Sequence, residues 1–175
     1  VAVGHSAGGH LAMWLAGRRG LPADDPLRGP DPLTLRGVVA LAGIFDLAAY
    51  AAPEGCGSAV PGLLGGEPSE HPERLARTSP VAMPSSGAPE ILVVGGRDPI
   101  VPRPQARRYE ERRRGTAVEV VEIPGAGLEL KLRGRLLLAD PLLVPLHTDK
   151  TSARFMLLLD GPHLGARVHR ARDPS

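Results

Sequence analysis

Hydrophobic and polar positions alternate in blocks along the first two thirds of this chain. Val1 to Val3 is a short apolar, mostly β-branched run that stops at Gly4. Ala7 to Arg19 is rich in Ala, Leu, Met and Trp, and Leu11, Trp14 and Leu15 recur at helical spacing. Residues 20–34 are dense in Gly, Pro and Asp and predict a loop. Gly37 to Ala42 is continuously apolar, the pattern of a strand buried on both faces. Phe45 to Ala52 predicts one or two helical turns, and the Gly/Pro-rich residues 53–72 an irregular segment suited to a small cap over a site. Ile91 to Val94 predicts a second buried strand, closed by Gly95-Gly96. A loop at 95–103 leads to helical composition from Pro104 to Arg114. Val118 to Ile123 is a third strand, ended by Pro124-Gly125.

Strands that alternate with helices predict an α/β fold: a mainly parallel sheet flanked by helices, expected on both faces. The opening directly on a strand end predicts that the first strands of a larger domain are missing. The expectation is therefore a partial domain over 1–127. From about residue 128 leucine and arginine become dense and the strand–helix rhythm is lost, so 128–175 is expected to be an atypical, irregular tail. No internal repeat is present.

Composition adds limits rather than a direction. The chain has 175 residues, 42% of them hydrophobic and 23% charged, enough for one modest domain. Of its 21 basic residues, Lys131 and Lys150 are the lysines, and the remaining 19 are arginine. The arginines are scattered among 19 acidic residues, with a formal net charge of +2, so no nucleic-acid stripe stands out. Arg112-Arg113-Arg114 follows Glu110-Glu111 and is expected to be a solvated helix face with i,i+4 pairing. Cys56 is alone, which excludes an internal disulfide and fits a reducing cytoplasm. No apolar run reaches the roughly 18 residues of a membrane span, and no signal peptide is visible.

The chemistry sits at Gly4-His5-Ser6-Ala7-Gly8, a G-x-S-x-G pattern placed between a strand end and a helix start. A serine held in so sharp a turn is strained, and the flanking Gly4 and Gly8 are expected to remove collisions. The hydroxyl would then stand at a helix N-terminus, whose free N–H groups and positive dipole suit a developing oxyanion, with the Ala7 N–H as donor. The alternative use of Ser6 is an N-cap that only starts a helix. His5 adjoins Ser6 and is turned away from it, and the i,i+5 spacing of His5 and His10 does not suit a metal pair; both are expected to pack or sit in a loop. A nucleophilic serine needs a base and an orienting acid, which follow it in the order acid, then histidine. Asp98 lies on the loop after a buried strand, where that acid belongs; its alternative use is to cap the turn before Pro99. The histidine is expected after the VEVVEI strand and its Pro124-Gly125-Ala126-Gly127 turn, where the sequence has Leu128.

GHSAGGHLAMWLAGR, GVVALAGIFDL, ERLARTSPVAM, GGRDPIVP and VEVVEIPGAG occur in this order over residues 1–127. Together they resemble the esterase, arylformamidase-like and prolyl-oligopeptidase-like members of the α/β-hydrolase superfamily. The resemblance implies Ser6 as nucleophile, Asp98 as acid, Ala7 as one oxyanion donor, and a histidine directly after PGAG. It implies acyl transfer from a small or medium ester, amide or formamide to water, with no metal and no cofactor. It also implies earlier strands and a second oxyanion donor before Val1. Leu128 departs from the pattern, and a shifted reading frame near it would explain both the absent histidine and the altered tail. His147, His163 and His169 remain as substitute bases. The expected outcome is a serine hydrolase impaired by its missing base, or a hydrolase-like scaffold without turnover.

Overall fold

The structure is a computed structural model that describes residues 1–52 and 55–127, and, as backbone elements, the strands at 130–132, 142–148, 154–160 and 165–170. Four parallel strands form the first sheet: β1 (Ala2–His5), β2 (Val38–Leu41), β3 (Glu90–Gly95) and β4 (Val118–Ile123), in the order β1-β2-β3-β4. Register runs Ala2 to Val38, Val38 to Glu90 and Glu90 to Val118, so all four strands start level, and β3 and β4 run on past the ends of β1 and β2. β2 and β3 are buried along their whole length, as the apolar runs at 38–41 and 91–94 require, whereas β1 and most of β4 are half-buried edge strands.

The connections carry α1 (Ala7–Gly17), α2 (Leu47–Tyr50), α3 (Ala59–Leu64), α4 (Pro72–Thr78) and α5 (Pro104–Arg112). The helix ends follow local chemistry. Asp46 caps α2 by accepting the Ala49 N–H, Gly65 closes α3 at φ 78°, and proline begins α4 and α5. The two longest helices, α1 and α5, share one core with alternate strand residues: Ala12, Met13, Ala106 and Tyr109 meet Val38, Ala40, Leu92 and Val94. They therefore lie on the same face, and the expected division of helices between two faces does not hold for them. The reason is the strand order. Every crossover steps the same way across the sheet, and right-handed crossovers in one direction place their helices on one side.

A second apolar cluster sits at the C-terminal end of the strands, where Ile44, Leu47 and Tyr50 pack with Val60, Leu64 and Val101. It fastens α2 and α3 to the loop after β3. Residues 55–72 are thus more regular than their composition predicts: a 3₁₀ turn at Gly55–Ser58 and the helix α3 lie within them.

Interior polar groups are paired across long sequence separations. The Glu90 carboxylate accepts from Tyr109 Oη at 2.8 Å and Ser86 Oγ at 2.6 Å. Burial, then the Glu90 charge, pushes the Tyr109 phenol well above its ordinary range. Arg113 lies 5.2 Å from the Tyr109 ring centre and donates to the Pro80 and Met83 carbonyls. This corrects the expectation of a solvated basic run: Arg112 and Arg114 are exposed, but Arg113 is half-buried and clamps the segment before β3.

Beyond residue 127 the described elements are β5 (Leu130–Leu132), β6 (Leu142–Thr148), β7 (Arg154–Asp160) and β8 (Gly165–Arg170), an antiparallel sheet in the order β5-β6-β7-β8. The lost strand–helix rhythm therefore marks a change from parallel to antiparallel pairing, because hairpin-like connections need no crossover helix. No helix among the described residues is long and apolar enough to cross a membrane.

Candidate active site

Ser6 sits between β1 and α1 with φ 53° and ψ −120°, one of two non-glycine residues with positive φ among those described. Such a backbone costs of order 1–3 kcal/mol and persists only where the surroundings fix it. Here the Ser6 N–H donates to the Leu41 carbonyl at 2.8 Å, and the His10 N–H donates to the Ser6 carbonyl at 3.1 Å. The Ser6 side chain makes no capping hydrogen bond to the helix it precedes. Helix-capping serines have extended backbones and bond to the first turn. Ser6 does neither, which removes the plain N-cap alternative. The other strained residue, Ala42 at φ 44°, ends the neighbouring strand, and its N–H is tied to the Val93 carbonyl.

The glycines divide their work differently from the motif's symmetry. A Cβ on Gly4 would fall 2.0 Å from the Gly8 carbonyl oxygen. A Cβ on Gly8 would meet nothing within 4 Å among the described residues. The expected steric need at Gly8 is therefore corrected to Gly9, whose Cβ would lie 2.9 Å from Gly43 Cα. Close backbone contact of Gly4 with Gly8, and of Gly9 with Gly43, lets α1 start directly against the ends of β1 and β2. Ala7, the first helical residue, is exposed, and its N–H is among those a helix start leaves without an intrahelical partner.

Asp98 follows β3, two strands away from Ser6, roughly 10 Å at normal strand spacing. It is only 7% exposed. Its Oδ1 accepts from Ile100 N–H at 2.8 Å and Val101 N–H at 2.9 Å. So Asp98 does cap the turn, as the alternative reading requires, but with one oxygen. The other, Oδ2, is buried and has no hydrogen-bond partner among the described residues. A buried carboxylate oxygen left unsatisfied is costly and marks a place where a donor belongs.

The turn after β4 is packed on this same loop. Arg97 N–H donates to the Ala126 carbonyl at 2.9 Å. A Cβ on Gly95 would come within 2.6 Å of Ala126 O and 2.8 Å of Gly127 O. The chain thus passes the Asp98 loop at 126–127, directly before position 128. Leu128 itself lies outside the described residues, as does His163. His147 falls in β6 and His169 in β8.

Tyr50 was not singled out by the sequence. Burial pushes its phenol up, with further contributions from the Cys56 thiol and from the Asp98 charge. A cleft of about 330 Å³ is lined by Ala51, Ala52, Ser58, Pro61 and Glu67. Among the described residues no group of His, Cys, Asp and Glu could hold a metal ion.

His10 is 9% exposed and its Nε2 donates to the Thr78 carbonyl at 2.9 Å. Burial holds its pKa below the usual 6.5, against a smaller upward effect of that bond. A histidine whose folded pKa is depressed leaves stability intact above the unfolded value and removes it as pH falls below it. The urea midpoint is therefore expected to drop as pH falls below about 6.5, and His10→Gln is expected to flatten that part of the profile. An unchanged slope in the variant would refute the assignment.

The BD-FAE family model matches residues 1–112. Esterase LipC of Mycobacterium tuberculosis is 34% identical over 136 residues, covering 71% of this chain and 33% of the esterase. The chain thus spans about a third of the length of that curated relative. A truncated carbohydrate esterase from gut microbiota superposes with a TM-score of 0.55 at 22% identity, over 72% of this chain and 51% of that one. The acetyl ester-xyloside bifunctional hydrolase of Caldicellulosiruptor lactoaceticus gives a TM-score of 0.53 at 25% identity, over 71% and 46%.

Proposed function

Since the chain belongs to the BD-FAE family, within the α/β-hydrolase superfamily, we propose that it is a serine hydrolase that cleaves an ester or amide bond through an acyl-enzyme. The observation that carries this reading is Ser6 itself: a strained, uncapped serine at a strand–helix turn. Strain without a structural use for the hydroxyl supports a reactive one.

In this mechanism Ser6 Oγ attacks the substrate carbonyl and forms a tetrahedral intermediate. The Ala7 N–H stabilises the oxyanion from the start of α1. A base takes the serine proton and returns it to the leaving group, and Asp98 orients that base and stabilises its charged form. Water then attacks the acyl-enzyme and releases the acid. The cycle draws on no metal or organic cofactor, and its substrate is a small or medium neutral ester or amide. Position 128, where the family's histidine is expected, holds leucine. Turnover is proposed to be impaired accordingly: enzymes that lose one triad member keep about 10³–10⁴-fold acceleration over water. That leucine also favours a second reading, a hydrolase-like scaffold without turnover.

A fluorophosphonate probe separates the two. Stoichiometric labelling that disappears in Ser6→Ala, read as a mass shift on the peptide containing residue 6, is the expected result. A folded chain that stays unlabelled at long exposure would establish the scaffold reading instead.

A further inference from the structure

Two side chains of α1 reach out of the nucleophile's helix to the same place. His10 and Trp14 stand four residues apart and so share a helix face. His10 Nε2 donates to the Thr78 carbonyl at 2.9 Å, and Trp14 Nε1 donates to the Arg77 carbonyl at 2.9 Å. A carbonyl only accepts, so the His10 proton is on Nε2. Arg77 and Thr78 are the last residues of α4, and a helix leaves its last carbonyls without partners of its own. α1 supplies two of the missing donors. The end of α4 is itself anchored: Ser79 Oγ accepts from the Leu47 N–H at 3.1 Å and reaches the Phe45 carbonyl at 3.4 Å.

His10 also touches Ser6 through the backbone, since its N–H donates to the Ser6 carbonyl at 3.1 Å. One residue therefore holds the nucleophile's carbonyl with its main chain and a fixed helix end with its ring. On the other flank, Gly9 is pressed against Gly43. The turn that carries Ser6 is gripped from both sides.

We propose that His10, with Trp14 beside it, is a positioning residue for Ser6: the imidazole locks the first turn of α1 to the end of α4 and so fixes where the serine hydroxyl stands. The inference rests on Ser6 as the nucleophile. His10 acts through the backbone and moves no proton in the reaction.

The test compares the full chain with His10→Leu, which keeps size and removes the donor, and His10→Gln, which keeps an N–H at the reach of Nε2. Two quantities are read below each variant's melting temperature: the rate of fluorophosphonate labelling at Ser6 per folded molecule, and hydrogen exchange of the residue-10 amide. His10→Leu is expected to slow labelling by about 10- to 100-fold, the cost of a misplacement near 1 Å. Its residue-10 amide is expected to exchange at least about 10-fold faster, as local opening becomes easier. His10→Gln is expected to restore most of both. Should His10→Leu fail to fold, Trp14→Phe removes the neighbouring bond and is expected to shift both readouts the same way by a smaller factor. Labelling and exchange both unchanged in a folded His10→Leu or Trp14→Phe, or a loss that His10→Gln does not relieve, overturns the proposal. If the parent chain does not label at all, Ser6 is not an active nucleophile; exchange at residue 10 still decides whether the latch exists.

Discussion

Gly4→Ala is expected to leave little folded protein, whereas Gly8→Ala, four residues away in the same motif, is expected to fold normally. The new methyl on Gly4 would lie 2.0 Å from the Gly8 oxygen and 2.3 Å from its carbonyl carbon. Neither atom is the tip of a side chain that can swing away. Both belong to the first turn of α1, which is pinned through His10 to Ser6 and through Gly9 to the exit of β2. Ordinary overpacking costs about 1–3 kcal/mol because side chains can adjust. A rigid backbone clash at this distance costs more, out of a total stability of about 5–15 kcal/mol. At Gly8 a methyl meets open space, and alanine is better than glycine inside a helix by about 0.5–1 kcal/mol. Urea unfolding followed by circular dichroism checks both. A Gly4→Ala chain with the parent's midpoint, or a Gly8→Ala chain that loses its transition, would show that the contacts around the elbow are not those described.

That contrast marks how far the sequence alone could go. G-x-S-x-G between a strand end and a helix start is a local pattern, so the strand–turn–helix around Ser6 was legible. The demand for a glycine at position 9 was not, because the partner it meets, Gly43, is 34 residues on. The buried strands β2 and β3 were legible from unbroken apolar runs, since no other element of that length buries both faces. The placement of α1 and α5 on one face depended on strand order, which no run of residues encodes locally. Arg113 followed the same rule. Its neighbours in sequence are exposed charges, but its acceptors, Pro80 O and Met83 O, arrive from a segment about thirty residues earlier. The position of Asp98 on a loop just after a strand was legible. That only one of its oxygens is used by the turn emerged from the geometry.

Leu128→His is expected to raise the rate of Ser6 labelling and of ester turnover by up to about 10⁶-fold, the inverse of removing a triad histidine. On the proposed mechanism Asp98 is already placed for it. Asp98 Oδ1 is held by two backbone N–H groups at 2.8 and 2.9 Å, which fixes the carboxylate plane. Oδ2 is buried with no donor among the described residues, and leucine has none to give. The turn that leads to position 128 lies on the Asp98 loop through the Arg97–Ala126 hydrogen bond and the close fit of Gly95 against Ala126 and Gly127. An imidazole introduced there needs to reach Oδ2 with one nitrogen and Ser6 Oγ with the other. The gain should depend on both partners: Ser6→Ala abolishes it, and Asp98→Asn in the Leu128→His chain returns most of it, since an amide no longer selects the productive tautomer. The pH–rate profile of Leu128→His should acquire an ascending limb near the usual histidine range, about 6.5, from titration of the new base. A folded Leu128→His chain with unchanged labelling would mean that the orphaned oxygen of Asp98 and the hydroxyl of Ser6 do not belong to one catalytic arrangement.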